Sequence, residues 1–140
     1  MIVLDTDVVS ALCRIKPPPT VTRWASAHRD APFVIGAQTL QEARFGIEKL
    51  PPNAMRASLS VRLAGALDDL VTSVLPYDGA CARVHAVLRV IAMRNGRSHK
   101  STDLAVASVA LANDIPLATR NTRDFDFIPE LALIDPWTAP

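Results

Sequence analysis

Aromatic side chains are scarce in this 140-residue chain: four Phe, two Trp and one Tyr make up 5% of it. A core of stacked rings is excluded, so the 49% of hydrophobic residues must pack mainly as Ala, Val, Leu and Ile. That fraction is also too high for a disordered chain. The only two cysteines, Cys13 and Cys81, lie in apolar helical surroundings without a CxxC or Cys/His spacing. A disulfide framework and a thiolate metal site are thereby excluded. No apolar run approaches the ~18 residues of a membrane span. Met1 leads straight into Ile2-Val3-Leu4-Asp5, without the basic stretch and apolar core of a secretory leader. These absences together point to a reduced, cytoplasmic protein. An excess of one charge is missing too, since 15 Lys+Arg against 14 Asp+Glu leave a formal +1. Net charge therefore neither requires nor forbids a nucleic-acid partner.

What is present alternates from end to end. Ile2–Leu4, Phe33–Ile35, Val71–Leu75, Pro116–Thr119 and Leu131–Ile134 are short apolar runs expected to be strands. Between them lie helical patterns. One runs through Val8, Val9, Ala11 and Leu12, and a second has Val21, Trp24, Ala25 and His28 on one face, with Thr20 as its expected cap. A third opens at Thr39 and reaches about Leu50. A fourth, over residues 54–70, carries Leu59, Leu63, Ala66, Leu67 and Leu70 on one side, and a fifth, Ala80–Met93, carries Val84, Val87, Leu88 and Ile91. Asn95-Gly96 should end the fifth. The last, Asp103–Ala112, is apolar on nearly every side and so is expected at the centre. No repeat or linker interrupts the pattern. Residues 1–140 form one α/β domain, a mainly parallel sheet of four to five strands flanked by helices.

In such sheets function gathers beyond the carboxyl ends of the strands. Asp5 leaves the first strand, Glu42 lies one turn into the helix after the second, Asp103 begins the most apolar helix, and Asp124 follows the Thr119 strand. Each has an ordinary explanation. Asp5 suits a turn, Asp7 an N-cap for a helix starting at Val8, and Thr39-x-x-Glu42 a capping box. Asp103 fits a helix N-terminal acid stabilised by ~0.3–1 kcal/mol, and Asp124 a solvated turn beside Asp126. The four as a set say more than any one. Carboxylates crowded into one crevice repel unless some protonate or a cation neutralises them. Hard oxygen donors select Mg²⁺ or Mn²⁺ over zinc.

His28, His85 and His99 show no ligand spacing, and their scatter argues against a metal-free ribonuclease built on paired histidines. A hard cation held by acids suits phosphodiester hydrolysis. Setting four site acids aside turns the formal +1 into +5 for the rest of the chain. Arg89, Arg94, Arg97 and Lys100 precede Asp103, while Arg120 and Arg123 bracket Asn121. Arg97, Lys100, Arg120 and Arg123 are thus candidates for gripping an RNA backbone, beside the alternative of an ordinary solvated surface.

The acids sit in segments that resemble the PIN-domain ribonucleases of the VapC toxin type, including the FitB-like members. Ile2-Val3-Leu4-Asp5-Thr6-Asp7 resembles the opening hhLDTN signature, with Asp7 where Asn is usual. Thr39-x-x-Glu42-x-x-x-Gly46 matches the second motif. Asn95-Gly96-Arg97 followed by Asp103-Leu104-Ala105-Val106-Ala107 resembles the third. Thr119-Arg120-Asn121-Thr122-Arg123-Asp124-Phe125 is similar to TRNxxDF, and Asp135-Pro136-Trp137 to a terminal NPW. The resemblance spans the whole chain. It implies a PIN fold, Mg²⁺-dependent hydrolysis of RNA, and Asp5 and Asp103 as principal metal ligands. Glu42 would complete the acidic cluster and Asp124 would be the fourth acid, though relatives place an acid at the Asn121 position instead. Thr6 and Thr119 would be supporting hydroxyls, with Asn121 as a polar neighbour. Asp7 adds charge and would alter metal affinity. The resemblance further implies a homodimer and inhibition by a VapB-like antitoxin that inserts a segment near the active site. Operator DNA would be bound only through the antitoxin.

Two other readings compete. Leu4-Asp5-Thr6-Asp7-Val8-Val9 resembles the DxDx(T/V) motif of haloacid-dehalogenase-type phosphatases, with Asp5 as nucleophile, but Lys100 and Asp103 imitate the rest of that site poorly. A non-catalytic PIN scaffold in a repressor complex is the other.

Overall fold

The computed structural model describes residues 1–97 and 101–140. Its elements run β1 (Ile2–Leu4), α1 (Thr6–Leu12), α2 (Pro19–Ala27), β2 (Phe33–Gly36), α3 (Ala37–Glu48), α4 (Ala54–Leu70), β3 (Val71–Leu75), α5 (Gly79–Arg94), α6 (Ser101–Ala112), β4 (Leu117–Ala118), a 3-10 turn (Thr122–Asp124) and β5 (Leu133–Ile134). The five strands form one sheet in the order β3-β2-β1-β4-β5, and every pairing is parallel. Chain progress reverses its spatial direction at β1, which has β2 on one side and β4 on the other. The carboxyl ends of β1 and β4 therefore flank the switch point where open α/β sheets bind ligands.

Side chains alternate across the sheet and build two apolar layers. Ile2, Leu4, Phe33 and Ile35 join α1, α2 and Ile47 on one face. Val3, Val34 and Leu117 join α5 and α6 on the other, with Phe125 and Ile128. Sheets covered on both faces select continuous apolar strands, as in Ile2-Val3-Leu4 and Phe33-Val34-Ile35. The central position expected of the apolar helix is observed: Leu104 to Ala110 of α6 are all buried. Ser108 is tolerated there because its hydroxyl donates to the Ala105 carbonyl at 2.7 Å.

Several local expectations are corrected. Thr20 does not cap α2: the helix begins at Pro19, two residues before a Thr20 cap would start it, where a ring with φ already near the helical value needs no amide partner. α3 ends at Glu48 rather than near Leu50. The buried face of α5 is Cys81, His85, Leu88 and Ala92, so Val87 points outward at 58% exposure. The polar residue His85 joins that face because Tyr77 Oη lies 2.8 Å from its Nδ1. Only Leu63 of the expected α4 face is fully buried. Asn95-Gly96 does end α5. Gly96 takes φ +65°, and its N–H and that of Arg97 donate to Met93 (3.1 Å) and Ala92 (2.9 Å), closing the carbonyls left open at the helix end. His28 proves to be a packing residue, with Nδ1 2.8 Å from the Trp24 carbonyl oxygen and its ring against Trp24. Both cysteines are free. No helix among the described residues is long and apolar enough to cross a membrane.

Candidate active site

Asp5 is fixed where β1 becomes α1. Its N–H donates to the Ala118 carbonyl of β4 at 2.9 Å, and its own carbonyl accepts from Val8 and Val9 at 3.1 Å each. Asp5, not Asp7, is thus the N-cap, and its Oδ1 accepts the Thr6 N–H at 2.7 Å. Asp7 lies inside the first turn and reaches across the switch point. Its Oδ2 accepts the Arg120 N–H at 2.9 Å and faces the Thr119 hydroxyl at 3.4 Å. Thr119 is fully buried at the end of β4, its N–H donating to Ile134 of β5 at 2.9 Å. From there its hydroxyl donates to Asp5 Oδ2 at 2.9 Å. Residues 112 and 114 positions apart are thereby joined through one side-chain oxygen.

Charge at this junction is poorly compensated. Burial, then the neighbouring charge of Asp7, and to a smaller extent that of Asp103, raise the Asp5 carboxyl from 3.8 to about 6, against the lowering influence of the Thr119 and Thr6 bonds. Burial also raises Asp7, opposed by the Arg120 N–H. Asp7 Oδ1 is buried and has no hydrogen-bond partner among the described residues. A buried carboxylate oxygen without a donor is costly, and the cost falls if a proton or cation occupies its free lone pairs.

Glu42 is brought to the same rim from the other side. Thr6 Oγ1 donates to Glu42 Oε2 at 2.6 Å, a bond between the first turn of α1 and the second turn of α3. This replaces the capping box expected of Thr39-x-x-Glu42. Gly36 is the N-cap of α3, Thr39 is buried within its first turn, and Glu42 lies too far along the helix to reach back. Asp103 stands in the first turn of α6, and its charge is felt at Asp5. Asp124 sits at the end of the exposed 3-10 turn, where its N–H donates to Asn121 at 2.9 Å. Among the described residues no hydrogen bond or ion pair joins its carboxylate to the other acids. Asn121 is exposed and donates its N–H to Thr119 Oγ1 at 3.2 Å.

The chain thus gathers Asp5, Asp7, Thr119 and Thr6 into one bonded network, with Glu42 attached and Asp103 within electrostatic reach. Asp124 stays at the margin. Among the described residues, no three Asp, Glu, His or Cys side chains form a ready-made cage for one ion. The donors nonetheless fit a hard dication on two counts: they are all oxygen, and one buried carboxylate oxygen lacks a partner.

The candidate RNA-binding cations differ in their surroundings. Arg97 is spent within the fold, bonding Asp126 at 2.7 Å and the Arg123 carbonyl at 3.2 Å, with its guanidinium 5.8 Å from the Phe127 centroid. Arg120 and Arg123 are exposed. Lys100, like His99, lies outside the described residues. Nothing in the order of residues announced that the Arg120 guanidinium would stack on Trp137, 5.4 Å from the ring centroid. The Asp135-Pro136-Trp137 motif marked the tryptophan but not its partner.

Comparison with known proteins agrees with this fold. The chain is 35% identical over 138 residues, 98% of its length and 98% of the other's, to the VapC ribonuclease Y4jK of Sinorhizobium fredii. It is 30% identical over 138 residues, 98% of this chain and 99% of the other, to the toxin FitB of Neisseria gonorrhoeae. The solved structure of FitAB bound to an IR36 DNA fragment superposes with a TM-score of 0.88 at 28% identity, covering 100% of this chain and 98% of that one. No family model matches the chain. Full-length similarity to both relatives removes the phosphatase reading. With Asp5, Glu42 and Asp103 carried at the rim of an all-parallel sheet, the chain belongs to the VapC/FitB family of PIN-domain toxins.

Proposed function

We propose that this toxin is a divalent-metal-dependent endoribonuclease that hydrolyses RNA phosphodiester bonds at the β1/β4 switch point. The observation that carries the reading is the under-compensated carboxylate pair Asp5 and Asp7, set beside Asp103 and tied through Thr6 to Glu42. Asp5 and Asp103 would hold Mg²⁺ or Mn²⁺, with Glu42 and Asp124 completing the acidic rim. Bound there, the ion would supply a water of lowered pKa and neutralise charge on the scissile phosphate. The protein's own part is orientation. Thr119 and the Thr6 N–H hold the two Asp5 oxygens in fixed directions, and Thr6 Oγ1 does the same for Glu42. Such supporting bonds typically contribute ~10–100-fold in metal affinity or activity.

The partner is a VapB-like antitoxin, through which the complex would bind operator DNA, as the DNA-bound FitAB structure suggests. An apolar groove of about 280 Å³ between α1, α3 and α4 opens beside Thr6 and Glu42, lined by Val9, Ile47, Leu59 and Leu63. Gly46 also lines it, and a Cβ there would meet no atom within 4 Å. A glycine inside a helix costs ~1 kcal/mol relative to Ala, and no close packing requires this one. Its absent side chain leaves room for an inserted antitoxin segment. A cytoplasmic homodimer is the form in which the toxin would act.

The reading is tested with purified protein freed of antitoxin. It should cut single-stranded RNA in Mg²⁺, lose that activity in EDTA, and lose it in Asp5→Asn and Asp103→Asn variants that keep their circular dichroism. Wild-type cleavage rates in either variant would refute the nuclease site. A folded wild-type protein that cuts nothing would favour the scaffold reading.

A further inference from the structure

We infer that Arg120, held on the face of Trp137, forms a subsite for a backbone phosphate of single-stranded RNA next to the scissile bond. The inference rests on the nuclease reading and adds a positioning residue to it. Three links place the guanidinium. Thr119 N–H donates to Ile134 at 2.9 Å, pinning the end of β4 to the end of β5. Arg120 N–H donates to Asp7 Oδ2 at 2.9 Å, so the Arg120 backbone is fixed at the rim of the acid site. Three residues beyond Ile134, the Trp137 N–H donates to Asp135 Oδ1 at 2.9 Å, turning the chain back so that the indole packs against the core layer of α1 and α2. The Arg120 Cζ then lies 5.4 Å from the Trp137 ring centroid.

What this leaves unspent is decisive. Among the described residues, the Arg120 guanidinium donates no hydrogen bond and has no acid within 4.0 Å, although its charge is felt at Asp7. Arg97 is the internal contrast, since it also lies near a ring, Phe127, but its fork is consumed by Asp126 and the Arg123 carbonyl. A guanidinium restrained by an aromatic face keeps its in-plane N–H donors available and loses less conformational freedom when it binds. The complementary ligand is a planar or tetrahedral oxyanion bound through two parallel N–H bonds, which in an RNA substrate is a phosphate. The acidic rim repels that same backbone, so a fixed cation beside it orients the strand as well as attracting it.

The test uses the full-length protein and a fluorescein-labelled single-stranded RNA oligonucleotide of mixed sequence. Cleavage in Mg²⁺ gives kcat and KM, and binding is measured against salt in an Asp5→Asn background. Arg120→Ala should raise KM about tenfold with little change in kcat, and should flatten the slope of log affinity against log salt by ~0.7, the value for one lost phosphate contact on a single strand. Arg120→Lys should keep the salt slope but recover only part of the affinity, because it retains charge without the fork. Trp137→Leu should raise KM about threefold, and Trp137→Phe should restore it, since any aromatic face supports the cation. Unchanged KM and salt slope in Arg120→Ala would overturn the subsite while leaving the nuclease reading intact. Failure of the parent protein to bind or cut the RNA would overturn both. A KM effect in Trp137→Leu matched by an equal loss in a chain already lacking Arg120 would also overturn it, as the ring would then act alone.

Discussion

Asp5 and Asp124 both follow strands at the same rim of the sheet, yet they live in opposite conditions. Asp5 is half-buried, bonded at both oxygens, and raised to about 6 by burial and by Asp7. Asp124 stands on an exposed turn closed by backbone bonds to Asn121 and Thr122, beside Arg97, which bridges Arg123 and Asp126. The first arrangement holds charge where water cannot screen it, and the second leaves charge in solvent. A carboxylate that destabilises the fold when ionised is one retained for what it binds. On the function proposed above, the β1/β4 junction would hold the ion and the turn would play a lesser part.

Breaking the junction should give the largest effects. Asp5→Asn is expected to lower RNA cleavage by about a thousandfold, the several kcal/mol a metal contributes to the transition state. The same variant should be more stable at neutral pH. A carboxyl whose folded pKa lies above its unfolded value of 3.8 contributes stability present below that pH and lost as pH rises through about 6. Removing the ionisable group should therefore raise the unfolding free energy above pH 6 by at most about 3 kcal/mol and leave it unchanged below pH 4, which melting temperatures across that range would show. Equal melting temperatures across that range would show that Asp5 is not strained. Millimolar Mg²⁺ or Mn²⁺ should stabilise the wild type and leave Asp5→Asn unmoved, because only the former gains a native-state ligand.

Thr119→Val tests the bonds rather than the charge. It keeps the shape of a fully buried residue but leaves Asp5 Oδ2 without its donor, so activity should fall ~10–100-fold. A loss smaller than twofold would mean that orientation of Asp5 is immaterial. On the turn, Asp124→Asn should cost only about tenfold in kcat, below the ~10²-fold floor of a general acid–base contribution. If instead Asp124→Asn matched Asp5→Asn, the ranking of the two regions would be reversed. The smallest expected effect is that of Arg97→Ala. Its exposed ion pair with Asp126 is worth up to ~1 kcal/mol, and urea midpoints would reveal a larger role.

Much of this fold was legible in order along the chain. Short runs between helical patterns located all five strands; β1 and β2, covered on both faces, demand continuous apolar residues, whereas the edge strand β3 is mostly exposed and was marked by its bounds rather than by burial. Gly96 disclosed its own turn. Helix faces were less readable: α5 buries Cys81, His85, Leu88 and Ala92 rather than the row containing Val87, since His85 found a hydrogen-bond partner in Tyr77. The capping-box pattern at Thr39 and Glu42 was a local match overridden by a distant one, the bond from Thr6. Cap motifs are short, and a carboxylate takes whichever donor the fold brings nearest.

Strand–helix alternation, and which acids follow which strands, could be read from residue order alone, because backbone periodicity and apolar patterning act over neighbouring residues. Folding alone brought Thr119 to hold Asp5 and face Asp7, Glu42 to answer to Thr6, and Arg120 to rest on Trp137 with its donors free. Those contacts depend on β4 and β5 lying beside β1, and strand order is set by packing both faces of the sheet at once, a condition that no local stretch of sequence contains.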